Sequence, residues 1–229
     1  MLYSQRRKSR VRAALAGGSV MNICVFLCDE SGIMAEPWAE VGYQCYCVDV
    51  QHSIRRERVE GNIHFVWGDV RSWKPPVGSR VIFLGAFPPC THVAGSGARD
   101  FKTKGLPMLR DSLELFEACE TAAAWSGARY FIENPVGVFS THVRKPDYKF
   151  DPCEYAGYLD DPSEDAYTKE TCLWTGGGFV MPEPRPVVPV YGSKMHRIPP
   201  GEERQKIRSK TPRGFARAVF EANCERVMI

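Results

Sequence analysis

The stretch Arg80-Val81-Ile82-Phe83-Leu84-Gly85-Ala86-Phe87-Pro88-Pro89-Cys90 decides how this chain folds. A largely apolar run of this length suits a strand covered on both faces, and Pro88 and Pro89 end it by fixing φ twice and removing two backbone donors. Cys90 is thereby carried on a stiff loop at the carboxyl end of a strand, where open α/β sheets place their chemistry. A second run, Ala128-Arg129-Tyr130-Phe131-Ile132, ends the same way in Glu133-Asn134-Pro135 and sets a carboxylate at its terminus.

Outward from these two strands the pattern alternates. Strands are predicted over 22–27, 44–48, 63–67, 80–86 and 128–132, and helices over 35–41 and 109–125. In the longer helix Leu109, Leu113, Leu115, Phe116, Cys119, Ala122 and Ala123 recur at three and four and give one buried face. This alternation implies an α/β fold with a doubly wound, mostly parallel sheet. Beyond residue 136 prolines multiply and periodicity fades. Only 171–174 and 178–181 read as strands there, as a hairpin around Thr175-Gly176-Gly177. A last helix starts near Pro212 with Thr211 as its N-cap and shows Phe215, Ala216, Val219 and Phe220 on one face. The expected organisation is a basic disordered arm over 1–20, an α/β core over 21–150, a small irregular segment over 151–206 and a C-terminal helix over 207–229 that returns to the core.

Bulk properties narrow the class. The chain has 229 residues, 44% of them hydrophobic, enough for one sizeable core. Its net charge of +3 is uneven, because Arg6, Arg7, Lys8, Arg10 and Arg12 stand in an N-terminal segment without acids. The remainder is not broadly basic, so nucleic-acid contacts must come from local patches. Met21 directly precedes the first strand and could serve as a start, which would make the arm upstream sequence. Nine cysteines, an odd number without regular spacing, argue for free thiols in a reducing compartment rather than a secreted disulfide framework. No Cys-x-x-Cys occurs, so no metal is expected, and no apolar run is long enough for a membrane span.

Four strand ends carry polar groups: Asp49, Asp69 in Gly68-Asp69-Val70, Cys90 and Glu133. A thiol beside a carboxyl suits addition to an electron-poor ring, with sulfur attacking carbon while the acid holds a ring nitrogen. An acid after the second strand of a nucleotide-binding sheet can accept two ribose hydroxyls, which is the role open to Asp49. The loop Leu27-Cys28-Asp29-Glu30-Ser31-Gly32 reads either as a solvated turn or as part of a cofactor site; its two acids would repel a dinucleotide but suit a cation. His92 is two residues from Cys90, as a base for the thiol or as a surface loop residue.

Pro-Pro-Cys followed some forty residues later by Glu-Asn-Pro resembles the DNA cytosine-5 methyltransferase family, most of all the short versions in phage genomes. The resemblance implies a Rossmann-like methyltransferase fold, S-adenosylmethionine as cofactor, and DNA as partner, either duplex with a flipped cytosine or single-stranded. It also implies a cytoplasmic location, that of a bacterial host for a phage protein. Cys90 would attack C6 of cytosine while Glu133 bonds N3. Leu27, Cys28, Ser31, Gly32, Asp49, Val50, Asp69, Val70, Phe87 and Pro88 would hold the cofactor, with Leu27 in the place of an adenine-facing aromatic and Asp69 on the adenine amino group. Pro89, Asn134, Arg99, Lys169 and Arg144 would contact the substrate, the last two standing in for a Gln-x-Arg-x-Arg strand that this chain lacks. Residues 91–99 would close over the target. Two other readings fit the scaffold: an amino-methyltransferase, whose Pro-Pro is followed by an aromatic, and a catalytically silent nucleic-acid-binding or regulatory protein.

Overall fold

The computed structural model describes residues 20–95, 98, 101–193 and 209–224. Eight strands form one mixed, mostly parallel sheet: β1 (Met21–Leu27), β2 (Gln44–Asp49), β3 (Arg58–Glu60), β4 (Ile63–Trp67), β5 (Ser79–Ala86), β6 (Arg129–Pro135), β7 (Tyr148–Phe150) and β8 (Thr171–Gly176). Their order is β3-β4-β2-β1-β5-β6-β8-β7, parallel from β4 through β6 and antiparallel at β3, β8 and β7. Among the described residues, helices α1 (Glu36–Glu40), α2 (Phe101–Ser126) and α3 (Arg213–Asn223), a π-helical turn at Phe139–Val143 and 3-10 turns at Pro152–Glu154, Ala156–Tyr158 and Ser163–Asp165 complete the regular structure.

The central strands are apolar throughout because both faces are covered. On β1, Cys24 and Phe26 join a core with Trp38 of α1 and Phe215 and Val219 of α3. Ile23, Val25 and Leu27 alternate with them and pack with Phe116, Cys119 and Ala123 of α2 on the other side. α3 is tied to α1 by Arg213 on Glu36 and Arg217 Nη1 on Glu40 Oε2 at 2.8 Å.

Several expectations need correction. Residues 178–181 form no strand; β8 instead pairs with β6 and with β7, whose three residues carry too little pattern to announce a strand. Thr211 does not cap α3. Pro212 occupies the cap position, and the buried Asp165 supplies the acceptor instead, its Oδ2 taking the Gly214 N–H at 2.7 Å. Gly214 also lets α3 pack closely on the Tyr155–Ala156 backbone, since a Cβ there would lie 2.3 Å from the Tyr155 carbonyl oxygen. α2 begins earlier than its apolar face, with a break at Gly105, whose φ is 73°, and Leu113 is exposed.

Candidate functional site

Parallel register brings five strand ends level: Leu27 lies opposite Val48 and Ala86, Asp49 opposite Trp67, and Ala86 opposite Ile132. Strand order reverses between β1 and β5, the crevice where such sheets bind ligands. A cavity of about 1690 Å³ opens there. Single-ligand pockets hold roughly 300–1,000 Å³, so this one has room for two reactants. Cys90 and Glu133 both line it, as do Asp49 and Asp69.

Cys90 starts a tight turn, its carbonyl accepting the N–H groups of Val93 (3.1 Å) and Ala94 (2.9 Å). The strand end beneath it is fixed from two sides: Phe87 N–H donates to the Leu27 carbonyl at 2.9 Å, and Asn134 Nδ2 donates to the Pro88 carbonyl at 2.8 Å. Beyond the turn, Gly95 N–H reaches the Val136 carbonyl and Val138 N–H reaches the Val93 carbonyl, each at 2.9 Å. These bonds stitch the thiol-bearing loop to the loop that follows Glu133. Gly137 lies in the stitch because a Cβ there would stand 2.0 Å from the Val93 carbonyl oxygen. Glu133 faces Lys169, with Nζ 4.0 Å from Oε1 and both side chains four-fifths buried. The Asp151 carboxylate takes the Lys169 backbone N–H and so fixes the lysine's position at the cavity wall.

The opposite half of the cavity is acidic. Asp29 Oδ1 accepts from Ser31 N–H, Ser31 Oγ and Gly32 N–H, each at 2.9 Å, so this acid is a buried organiser of the loop rather than a solvated turn residue. Burial pushes its carboxyl up, and the Gly32 and Ser31 donors pull against that. Gly32 has a φ of 73° and leaves no room for a Cβ beside the Phe65 ring, so the turn requires glycine. Cys28 adopts a φ of 55°, its N–H bonded to the Val48 carbonyl at 2.7 Å. Asp49 is buried and pushed up by desolvation; its Oδ1 takes the Gln51 N–H at 2.8 Å. Asp69 is held below its ordinary range by the Arg71 guanidinium.

Of the expected site residues, Cys28, Ser31, Asp49, Val50, Asp69, Val70, Phe87, Pro88, Pro89, Cys90, Glu133 and Lys169 line this one cavity. Gly32 shapes its loop from below. Three do not belong to its walls. Leu27 is buried in the core under α2, because the inward face of β1 ends on it. Asn134 is buried and spends its amide on Pro88. Arg144 is exposed and bonds Asp147 Oδ1 at 2.9 Å, while its carbonyl accepts the Trp174 indole N–H at 3.1 Å. Arg99 lies outside the described residues, as do Ser96 and Gly97 of the loop expected to close. His92 does not line the cavity, and its Nδ1 is buried without a partner.

Sequence reasoning missed Arg71, Asp111 and Lys210, which line the cavity, and Gly137, which fixes its geometry. Only Asp69-x-Arg71 left a local signal. No protein-family model and no curated protein matches this chain. All nine cysteines are free thiols. Among the described residues no cluster of His, Cys, Asp and Glu is arranged to hold a metal, and no helix is long and apolar enough to cross a membrane.

Proposed function

We propose that this protein transfers a methyl group from S-adenosylmethionine to C5 of cytosine in DNA. The observation that carries the reading is that Cys90 and Glu133, on neighbouring strand ends, open into the same cavity as Asp49 and Asp69. The order β4-β2-β1-β5-β6 supports a Rossmann-like methyltransferase sheet, with β8 and β7 added beyond β6.

The donor set suits the sulfonium cofactor. Asp49 uses Oδ1 on Gln51 and keeps acceptor capacity for ribose hydroxyls. The acidic Asp29–Glu30 side favours a cation, and the apolar faces of Val50, Val70 and Phe87 offer ring-sized contacts. S-adenosylmethionine, when bound, supplies an electrophilic methyl group. The protein's own residues then prepare the acceptor. The Cys90 thiolate adds to C6 while the Glu133 carboxyl O–H donates its proton to N3, which places electron density on C5. Lys169 fixes the orientation of Glu133 for that bond. Once C5 carries its new substituent, loss of the C5 proton to solvent expels the thiolate, and return of the N3 proton to Glu133 restores the aromatic ring. A stacked base cannot reach such a thiol, so the target nucleotide is flipped out or already single-stranded. A thiol outside any disulfide also suits the reducing interior of a cell.

The test uses DNA containing 5-fluorocytosine with S-adenosylmethionine. Fluorine blocks loss of the C5 substituent and traps the covalent complex. The expected result is a denaturation-resistant adduct through Cys90, absent in Cys90→Ala. Methylation of an exocyclic nitrogen that survives Cys90→Ala would replace this reading with the amino-methyltransferase one.

A further inference from the structure

Asp69 stands just past the carboxyl end of β4 on the donor side of the cavity, and its carboxylate is already engaged. Arg71 Nε donates to Oδ1 at 2.9 Å and to Oδ2 at 3.1 Å, and Nη2 donates to Oδ2 at 2.8 Å. The Arg71 backbone N–H adds a bond to Oδ1 at 3.0 Å. Three N–H hydrogens of this one residue, that of Nε shared between the two oxygens, thus meet a carboxylate that offers about four lone-pair directions. The remaining arm, Nη1, donates to Asp111 Oδ1 of α2 at 2.9 Å, with Glu114 Oε2 3.9 Å away. The contact spans two residues within one turn, so it forms at little entropic cost. Any ligand group that needs Asp69 as an acceptor must compete with it.

We infer that Arg71 is a latch on the donor site. Its guanidinium holds Asp69, and an exocyclic amino group of the donor's purine gains Asp69 only by displacing it, while Nη1 stays anchored to Asp111. This rests on the reading of S-adenosylmethionine as cofactor given above. The latch is weak enough to open, since the Arg71 and Asp69 side chains are 42% and 28% exposed. Competition from an ion pair of that exposure lowers an affinity by about two- to fivefold. The sign is what separates a latch from a recognition residue: removing a residue that grips the ligand weakens binding, whereas removing Arg71 strengthens it.

The test is calorimetric titration with S-adenosylhomocysteine, which carries the same purine and ribose and has no group to transfer. Arg71→Ala is expected to bind about two- to fivefold more tightly than the unmodified protein. Arg71→Lys falls between them, because an ammonium cannot make the bidentate fork. Asp69→Asn binds more weakly than either. In ¹⁵N spectra of the unmodified protein the Arg71 Nε–H resonance shifts on saturation, a readout that stands even if the alanine variant folds poorly. Equal or weaker binding by Arg71→Ala and Arg71→Lys, or an unmoved Nε–H resonance at saturation, overturns the latch and leaves the cofactor reading intact. Failure of the unmodified protein and every variant to bind overturns the cofactor reading and the latch with it.

Discussion

Replacing Gly137 by alanine tests whether the loops bearing Cys90 and Glu133 work as one unit. A Cβ at this position would lie 2.0 Å from the Val93 carbonyl oxygen and 3.0 Å from Ala94 Cα. Ordinary contact between such atoms is about 3.5 Å, so the two loops must part by roughly 1–1.5 Å. That separation breaks or stretches the Gly95 to Val136 and Val138 to Val93 bonds, both 2.9 Å long. Two backbone hydrogen bonds are worth about 1–3 kcal/mol together, which for a chain of this size lowers Tm by about 2–4 °C for each kcal/mol. The chemical cost is expected to be larger than the thermal one. A displacement near 1 Å between reacting groups slows reaction by about a hundredfold, and here the displaced group is the proposed nucleophile. The assay is the rate of adduct formation with 5-fluorocytosine DNA under single-turnover conditions, beside a thermal melt. An adduct rate within twofold of the unmodified protein, with Tm unchanged, would refute the claim that this stitch sets the distance between thiol and carboxylate.

Three further outcomes are expected. Lys169→Met removes the cation 4.0 Å from Glu133, and because an ion pair without a hydrogen bond is worth up to about 1 kcal/mol, the adduct rate should fall up to about fivefold; an unaffected rate would show that Glu133 does not depend on this cation. Asp165→Ala strips the acceptor from the first turn of α3 and should cost about 1–2 kcal/mol in urea unfolding, with Asp165→Asn recovering most of it; equal losses in the two variants would mean that the Gly214 contact is not what matters. Asp29→Asn probes a buried acid whose folded pKa is raised by desolvation. Stability from such a group is full below its unfolded pKa of about 3.9 and is lost as pH rises through the folded value. The asparagine variant does not ionise, so its stability relative to the unmodified protein should rise between about pH 4 and pH 7; a difference that stays flat or falls would contradict the burial account.

Much of the molecule was legible in the chain because its information is local. The apolar runs at 22–27, 44–48, 63–67, 80–86 and 128–132 match β1, β2, β4, β5 and β6 to within three residues, since a strand covered on both faces needs an unbroken apolar run wherever it occurs. The strand-ending residues Asp49, Asp69, Cys90 and Glu133 were readable for the same reason: they stand where those runs stop. Leu27 illustrates the limit. Its position at the end of β1 was correct, but the direction of its side chain follows from the two-residue alternation of a strand packed under α2, and so it points into the core.

Sequence alone thus determined the five parallel strands, the three helices and the polar groups at the strand ends, though not the short β3 and β7, because period and chain breaks are properties of neighbouring residues. Only the tertiary structure decided which strands lie side by side, that β8 runs antiparallel against β6 and delivers Lys169 to Glu133, and that Asp165 caps a helix 49 positions away. It also decided that Arg71 occupies Asp69 and that Gly137 must lack a side chain. These are distances between atoms remote in sequence, or side-chain choices among competing partners, and they are set by packing rather than by any pattern a single segment carries.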